Sequence, residues 1–583
     1  MTNTKKNRKS FYFILLISPI VLLLLLELLL RIFGFGNSYP LFIPAKSSSG
    51  YLQPNPSVIK RYFSNPKLAP DIQPDTFFFR SKKPNNSFRI VIQGGSTAAG
   101  FPFGRFGSLH GMLQQRFKRL YPEKDIEIIS TAMSAVNSYT LLDFTDEIVA
   151  IEPDLVLIYA GHNEFVGIMG VGSSYSVKNN RSATLVFLKI KELRLFQLMQ
   201  SVVSFFQQDE PNDSQENNGH SKPDNRTLMA KISKEKEIYL NSELYQRGVE
   251  QFDNNLSLIL SRYQQADIPV MISTLARNEK DQPPFSSSNG EFSASGYFNK
   301  AREFQRLGNF GKALIAYKQA ADRDLLRFRA PSYFNQIIKK QASSHNAILV
   351  DGENALRKKS SDGIIGFQHM FEHLHPNARG YFLLAEAFAD KIINKHLIAG
   401  IPNKFPSDRA WQDIPLTPSD LIAASFKIKT LTSDYPFVDK KLEVKFGKAK
   451  NFEEKMALQQ LAGKDWLLRH KEMLEHYQKS KQPKLAARIA GLIVDAFPEQ
   501  AKAAWVAGQL YFEIGDKPMA LYYHRRALSL SPINIQYLLS VARSFYINGR
   551  KRDAIEILER VLVIKPKNNV AVTQKRRIEA ELK

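Results

Sequence analysis

The sequence contains no cysteine in 583 residues. This absence excludes a disulfide framework, a thiolate metal site and a cysteine nucleophile. It does not select a cellular compartment. Any nucleophile in this chain must therefore be a different residue type.

Acidic residues are also scarce relative to basic ones. The chain has 56 Asp and Glu against 80 Lys and Arg, which gives a formal net charge of +24. Such a charge suits contact with anionic envelope polymers, phospholipid head groups or nucleic acid, and a solvated basic surface explains it equally well. The length exceeds what one hydrophobic core supports, so two or more domains are expected.

The N-terminal segment predicts a membrane anchor. The first ten residues, MTNTKKNRKS, carry four basic side chains, and residues 11–33 form an apolar run long enough to cross a bilayer. Positive charge before the span predicts a cytoplasmic tail over 1–10 and places the other domains outside the cytoplasm, periplasmic in a Gram-negative bacterium. No clear cleavage site follows, which favours an uncleaved anchor. Glu27 and Arg31, four residues apart, predict an interfacial ion pair.

This location argues against a nucleic-acid partner.

Residues 34–85 are rich in Pro, Ser, Asn and aromatics without clear periodicity, which predicts a mostly irregular juxtamembrane segment.

Short β-branched runs then alternate with stretches of helical spacing over residues 86–400. The runs are FRIVIQ (88–93), IEIIST (126–131), DLVLIYAG (154–161), IPVMIST (268–274) and NAILVDG (346–352). Continuous apolar strands that alternate with helices predict an α/β domain, a parallel sheet covered by helices on both faces in three layers.

Two interruptions and a connector complete this part of the chain. Residues 207–225 are polar and predict a loop. Residues 293–345 predict a helical insertion, and residues 401–466 predict a Pro-interrupted helical connector without recognisable chemistry.

The region 467–583 repeats with a period of 34 residues. The aligned positions are Pro498, Pro532 and Pro566, Ala486, Ala520 and Ala554, and Tyr477, Tyr511 and Phe545. Three units follow, at 467–500, 501–534 and 535–568, and residues 569–583 resemble a polar capping helix. This pattern resembles the tetratricopeptide repeat, which implies an all-α array whose groove binds a protein partner.

The insertion carries the same signature once, at 297–324. An inserted repeat of the same type and a generic amphipathic hairpin are both open for it.

Ser96 lies in a glycine-rich turn, VIQGGSTAAG, that follows the first strand. A phosphate-binding P-loop needs Lys after its last glycine, but Phe101 and Pro102 follow Gly100. The dinucleotide motif G-x-G-x-x-G is absent. The α/β-hydrolase elbow needs glycine two residues after the serine, where Ala98 stands.

The turn resembles the first sequence block of the SGNH (GDSL-type) hydrolases, in which the serine is the nucleophile. STAMSAVNSY resembles the second block, with Ala135 where the family has glycine, and YAGHNEF resembles the third, which implies Asn163. By this resemblance, Ser96, Ala135 and Asn163 form the oxyanion hole. Glu164 stands where the family has aspartate, and we expect a structural hydrogen bond from it.

FEHLHPNARG resembles the last block of the family. The resemblance implies His375 as the general base and Glu372, in place of the usual aspartate, as the carboxylate that orients it. His369 and His373 have no role in this interpretation. A zinc site ranks low because the zincin spacing is missing, so neither a metal nor an organic cofactor is expected.

The resemblance implies a serine hydrolase or acyltransferase acting on esters. Membrane-tethered members often act on O-acetyl groups of envelope or exported glycans, which is the expected substrate class. A lipid esterase and an inactive scaffold that binds partners through the repeats are the alternatives. The motif RFRAP at 327–331 can bind an anion or form ordinary ion pairs.

Overall fold

The structure, a computed structural model, describes residues 4–46, 48–173, 181–207, 227, 229 and 237–583. The predicted polar loop at 207–225 lies outside these residues except for its first position.

A five-stranded parallel sheet forms the centre of the predicted α/β domain. Its strands, in chain order, are β4 (Ser87–Gly94), β5 (Asp125–Ser130), β6 (Leu155–Tyr159), β7 (Val270–Ser273) and β8 (Ile348–Val350). The spatial order is β5-β4-β6-β7-β8, so β4 pairs with a strand that follows it on either side. The five apolar runs of the sequence are these five strands, and the predicted fold class is confirmed.

Two groups of helices cover the sheet, and each group packs within itself. One contains Leu109–Leu120, Gly352–Arg357 and Ala378–Asn394, and the other contains Ser138–Val149, Glu243–Gln265 and Ser332–Ser344. Most strand residues between them are buried; Ile90, Val91 and Leu157, for example, are 0% exposed. Continuous burial on both faces explains why the strands read as unbroken apolar runs.

The segment 34–85 is more ordered than its sequence predicts. It forms an antiparallel sheet of β1 (Phe42–Pro44), β2 (Tyr51–Pro54) and β3 (Phe79–Arg80), with short 3-10 turns at Val58–Tyr62 and Pro66–Leu68. Its apolar residues join the main hydrophobic core. Strands of two to four residues are too short to show a detectable alternation of apolar and polar residues.

The N-terminal helix, Thr4–Ile32, contains a candidate membrane span at Phe11–Ile32 with a mean hydropathy of 2.9. Arg31 Nε lies 2.7 Å from Glu27 Oε1, as the sequence predicts. The same carboxylate accepts the backbone N–H groups of Arg194 and Leu195, at 3.1 and 2.9 Å. Glu27 thereby joins the apolar helix to the first turn of the helix Arg194–Gln207, which follows the helix Arg181–Ile190.

The insertion folds as a pair of helices with its own small core. The helices are Ala294–Arg306 and Phe310–Asp322. Ala301, Ala313 and Ala320 are buried where the helices approach, and Phe298 packs against Tyr317. Small residues at the contact and aromatics beside it are the features that the repeat signature predicts.

The remaining chain is helical. The connector contains Ser407–Gln412, Pro418–Thr432 and Phe452–Leu461. The repeat array contains Trp466–Lys479, Pro483–Ala496, Ala501–Glu513, Lys517–Leu530, Ile535–Ile547, Lys551–Ile564 and Asn569–Ala580. These bounds give three consecutive helix pairs and a last helix.

The array docks on the α/β domain through buried ion pairs at the end of the helix Leu109–Leu120. Lys118 Nζ contacts Asp495 and lies 3.3 Å from the hydroxyl of Tyr523. Arg119 binds Asp413 of the connector at 2.6 and 2.8 Å and Asp516 of the array at 2.7 and 2.9 Å. Arg119 therefore ties three parts of the chain together.

We expect Arg119→Ala to loosen the array, because two carboxylates lose their shared cation. Breaking a largely buried ion pair costs on the order of 3 kcal/mol, roughly a hundredfold in an equilibrium. Hydrogen exchange of the full chain should show faster exchange in the helix Lys517–Leu530. The control Arg525→Ala, whose side chain is 37% exposed and 3.7 Å from Glu123, should leave exchange unchanged. Unchanged exchange in Arg119→Ala would contradict this role.

Candidate active site

Ser96 lies at the carboxyl end of β4, where the strand turns into the short helix Ser96–Ala99. Its hydroxyl oxygen is 2.8 Å from Nε2 of His375, which precedes the helix Ala378–Asn394 and is 279 residues away in sequence. The structure thus brings together the two residues that the first and last sequence blocks indicate. The helix that begins at Ser96 has only four residues, because Gly100 ends it in the left-handed conformation with φ 88°.

Glu372 lies behind His375 and is 1% exposed. One carboxylate oxygen accepts the backbone N–H of His375 at 2.9 Å and contacts Nδ1 of the same ring. A carboxylate can only accept, so Nδ1 carries the proton and Nε2 is left to accept from the Ser96 hydroxyl. The extra methylene of Glu372, relative to aspartate, does not prevent this contact.

His373 shares the same carboxylate, which the sequence did not indicate. The second oxygen of Glu372 accepts the backbone N–H of His373 at 2.7 Å and contacts its Nδ1. The ring packs edge-on against Phe285, Phe328 and Phe437. Burial lowers the pKa of His373 well below its ordinary 6.5, so the ring is neutral. It does not contact Ser96.

Ala135 and Asn163 lie on the loops after β5 and β6, beside Ser96. Ala135 has φ 56°, the left-handed region that favours glycine, which costs alanine on the order of 1 kcal/mol. The backbone N–H of Gly167 donates to the Asn163 carbonyl at 2.7 Å, and Ile168 donates to the Ala135 carbonyl at 2.8 Å. The segment Gly167–Ile168 thus hydrogen-bonds to both loops and fixes their relative position.

Two glycines allow close approaches around these loops. A Cβ on Gly95 would lie 2.8 Å from the Asn163 amide nitrogen, and a Cβ on Gly167 would lie 2.5 Å from the Asn163 carbonyl oxygen. The close approach at Gly95 places the Asn163 amide next to the Ser96 turn.

Glu164 makes the structural hydrogen bonds expected of it. Its carboxylate accepts from the backbone N–H and the hydroxyl of Ser138, at 3.0 and 2.6 Å, and from the amide of Gln251 at 2.5 Å. Burial raises the pKa of Glu164 to about 7. The residue joins the loop after β6 to two covering helices and does not line the cavity at Ser96.

A cavity of about 550 Å³ opens at these residues. Its polar end is formed by Ser96, Asn163 and His375, and most of its remaining lining is apolar. Part of the wall comes from the connector, whose sequence carried no chemical signal: Lys427, Thr430, Leu431, Phe446 and Leu461 line it. The Lys427 ammonium donates to the Pro102 carbonyl at 3.0 Å.

The other candidates from the sequence are structural. Arg329 pairs with Asp324 at 2.7 Å and donates to backbone carbonyls, and Arg327 donates to the carbonyl of Ile238 at 2.9 Å. The two arginines of RFRAP therefore form ordinary buried contacts, whereas Phe328 between them lines the cavity at Ser96. The ring of His369 is buried, and its backbone carbonyl accepts from Asn377 at 3.0 Å, beside the last helix.

Glu372, His373 and His375 also form a group whose ligand atoms lie within 4.8 Å of one another, close enough to hold a metal ion. The carboxylate, however, contacts Nδ1 of both rings directly. A metal ion would have to replace these two contacts. The donor set therefore fits a hydrogen-bonded triad better than a metal site, and it leaves Nε2 of His375 for Ser96.

The arrangement can activate a hydroxyl nucleophile. A neutral ring next to Ser96 can take its proton, a carboxylate can stabilise the charged ring, and backbone and amide N–H groups nearby can stabilise an oxyanion.

One family model matches part of the chain. The tetratricopeptide repeat family matches residues 294–325, which favours the inserted repeat over a generic hairpin for this helix pair. A search of curated proteins gives no match.

Similar solved structures include SGNH-type acylhydrolases and tetratricopeptide domains. A GDSL-like lipase from Bacteroides thetaiotaomicron is 11% identical over 54% of this chain and 92% of its own, with a TM-score of 0.27. The psychrotrophic esterase EstA from Pseudoalteromonas sp. is 14% identical over 53% of this chain and 98% of its own length, with a TM-score of 0.25. The first repeat domain of Spaghetti, solved with an HSP90 peptide, is 22% identical. The match covers 20% of this chain and 91% of that domain, with a TM-score of 0.18.

We expect Glu372→Gln to lower kcat for ester hydrolysis by three to four orders of magnitude, because a neutral amide cannot stabilise the charged His375 ring. Steady-state kinetics with a chromogenic ester measure this, and circular dichroism checks the fold. A loss below tenfold in a folded variant would remove Glu372 from the triad.

The acid limb of the pH profile should lie below pH 6.5. Burial lowers the pKa of His375 from its ordinary 6.5, although the Glu372 carboxylate opposes this shift by favouring the charged ring. Because the base must be neutral, activity is present above the lowered pKa and is lost as the pH falls through it. A kcat/KM profile from pH 4 to 9 measures the limb, and a limb at or above 6.5 would contradict the expected direction.

Proposed function

We propose that the chain is a membrane-anchored serine esterase or O-acyltransferase. The observation that carries this proposal is the 2.8 Å contact between the Ser96 hydroxyl and Nε2 of a His375 ring that Glu372 holds from behind. All three residues belong to sequence blocks that resemble those of the SGNH hydrolases.

The reaction proceeds in two half-reactions. Ser96 Oγ attacks the ester carbonyl while its proton passes to His375, and the oxyanion is held by the N–H groups of Ser96 and Ala135 and the Asn163 amide. The tetrahedral intermediate collapses, and His375 protonates the leaving alcohol. Water or an acceptor hydroxyl then attacks the acyl-serine and gives its proton to His375. The second tetrahedral intermediate collapses as His375 returns the proton to Ser96 Oγ, and the acid or new ester leaves without a metal or organic cofactor.

We assign the anchor to residues 11–33 and the other domains to the outside of the cytoplasm. The support is the apolar helix and the basic residues that precede it. Esters on envelope or exported glycans are within reach of such an enzyme, and its basic charge suits anionic polymers. The apolar cavity favours lipid esters as the second substrate class.

The repeat array adds a partner-binding role. Helical repeats of this type form extended surfaces that bind peptides, and this array is tied to the α/β domain at Lys118 and Arg119. An array fixed in this way can bring the esterase to a synthesis or export machine. A scaffold without activity would tolerate loss of Ser96.

Turnover of p-nitrophenyl esters by the full chain in detergent tests the proposal. We expect Ser96→Ala and His375→Gln each to lower kcat at least a thousandfold, because the triad acts as a unit. His373→Gln is the matched control, since His373 contacts Glu372 but not Ser96; we expect at most a tenfold loss. Undiminished turnover in Ser96→Ala, or equal losses in both histidine variants, would overturn the assignment.

A further inference from the structure

Most of the exposed lining of the cavity at Ser96 is apolar, although Ser134, Thr227, His373, Lys427 and Thr430 also line it. On the side of the α/β domain, Phe101, Val166, Phe328 and Leu374 line it. These side chains offer no hydrogen bond to a sugar. An acetyl group would leave most of the 550 Å³ without a contact.

The connector lines the cavity as well. Leu431 lies in the last turn of the helix Pro418–Thr432, Phe446 lies in the extended stretch beyond it and packs on Phe426 with ring centroids 4.5 Å apart, and Leu461 ends the helix Phe452–Leu461. Two contacts hold the connector near its helix Pro418–Thr432. Arg488 of the array donates to the carbonyl of Leu416 at 3.2 Å, and the Lys427 ammonium reaches the Pro102 carbonyl.

We propose that the connector walls an acyl-chain pocket, so that the enzyme prefers unbranched acyl groups much longer than acetyl. This inference rests on the proposed esterase function and names its substrate class. The acyl group, unlike the leaving alcohol, stays bound to Ser96 through both half-reactions, so we assign the largely apolar cavity to the acyl side. Leu431 and Leu461 are then specificity-determining residues outside the α/β domain.

The first experiment is a chain-length series of p-nitrophenyl esters, from acetyl to dodecanoyl, with the full chain in detergent. Each methylene that enters an apolar pocket contributes roughly fourfold in affinity. We expect kcat/KM to rise at least a hundredfold from acetyl to octanoyl. Highest activity on acetyl, with turnover that depends on Ser96, would overturn the pocket and leave the esterase standing. No turnover of any ester would overturn both.

Two variants test the connector. Leu431→Trp and Leu461→Trp fill the pocket, and we expect each to lower the octanoyl-to-acetyl ratio of kcat/KM at least tenfold. The matched control is Leu421→Trp, on the same connector helix as Leu431 but 44% exposed and away from the cavity; it should keep the ratio. An unchanged ratio in both pocket variants would overturn the role of the connector.

A second readout does not depend on the chosen esters. We expect the rate at which Ser96 reacts with alkyl fluorophosphonates to rise with alkyl length and to lose that dependence in Leu431→Trp. Octanoyl glucose and a lysophospholipid, compared on the same variants, then distinguish a glycan ester from a lipid ester as the source of the chain. Equal labelling rates for short and long reagents would contradict the pocket.

Discussion

The site depends on the order of strands in the parallel sheet. Because β4 lies between β5 and β6, the loops at the carboxyl ends of three adjacent strands meet at one edge. This is the place where connections leave in opposite directions and a crevice opens in such sheets. Ser96, Ala135 and Asn163 each occupy one of those loops, and the last loop before the helix Ala378–Asn394 brings His375 over them.

Within this frame, a single carboxylate determines which ring nitrogen of His375 carries the proton. Glu372 accepts two backbone N–H groups and contacts two imidazole Nδ1 atoms. The backbone contacts fix the carboxylate, and the fixed carboxylate fixes the tautomer of His375. Glutamate fulfils this role because the local turn brings both histidine N–H groups to its longer side chain.

Much of the fold was predictable because its signals are local. Each strand is a continuous apolar run, and the repeats share a period, so neither depends on distant contacts. The proximity of Ser96 to His375 followed from the order of blocks that resemble a known family. The φ of 56° at Ala135 gives a physical reason for the glycine that the family has there.

What the sequence did not reveal depends on contacts between distant residues. The strands β1 to β3 are too short to show alternation, and β3 pairs with β2 across almost thirty residues. Nothing in the sequence distinguishes His373 from a surface histidine; its contact with the Glu372 carboxylate is evident only in the structure. The connector carries no chemical signal in its sequence, because Leu431 and Leu461 are ordinary helix residues. Their position at the cavity depends on how three parts of the chain dock.

The most direct test of the account is the site at which a fluorophosphonate reacts with the intact protein. Peptide mass spectrometry after labelling identifies the modified residue and its stoichiometry. The account predicts one adduct per chain, on Ser96, formed at least a hundredfold more slowly in His375→Gln because the serine then lacks its base. A folded protein that forms no adduct, or forms one on another residue, would contradict the central claim that Ser96 is an activated nucleophile.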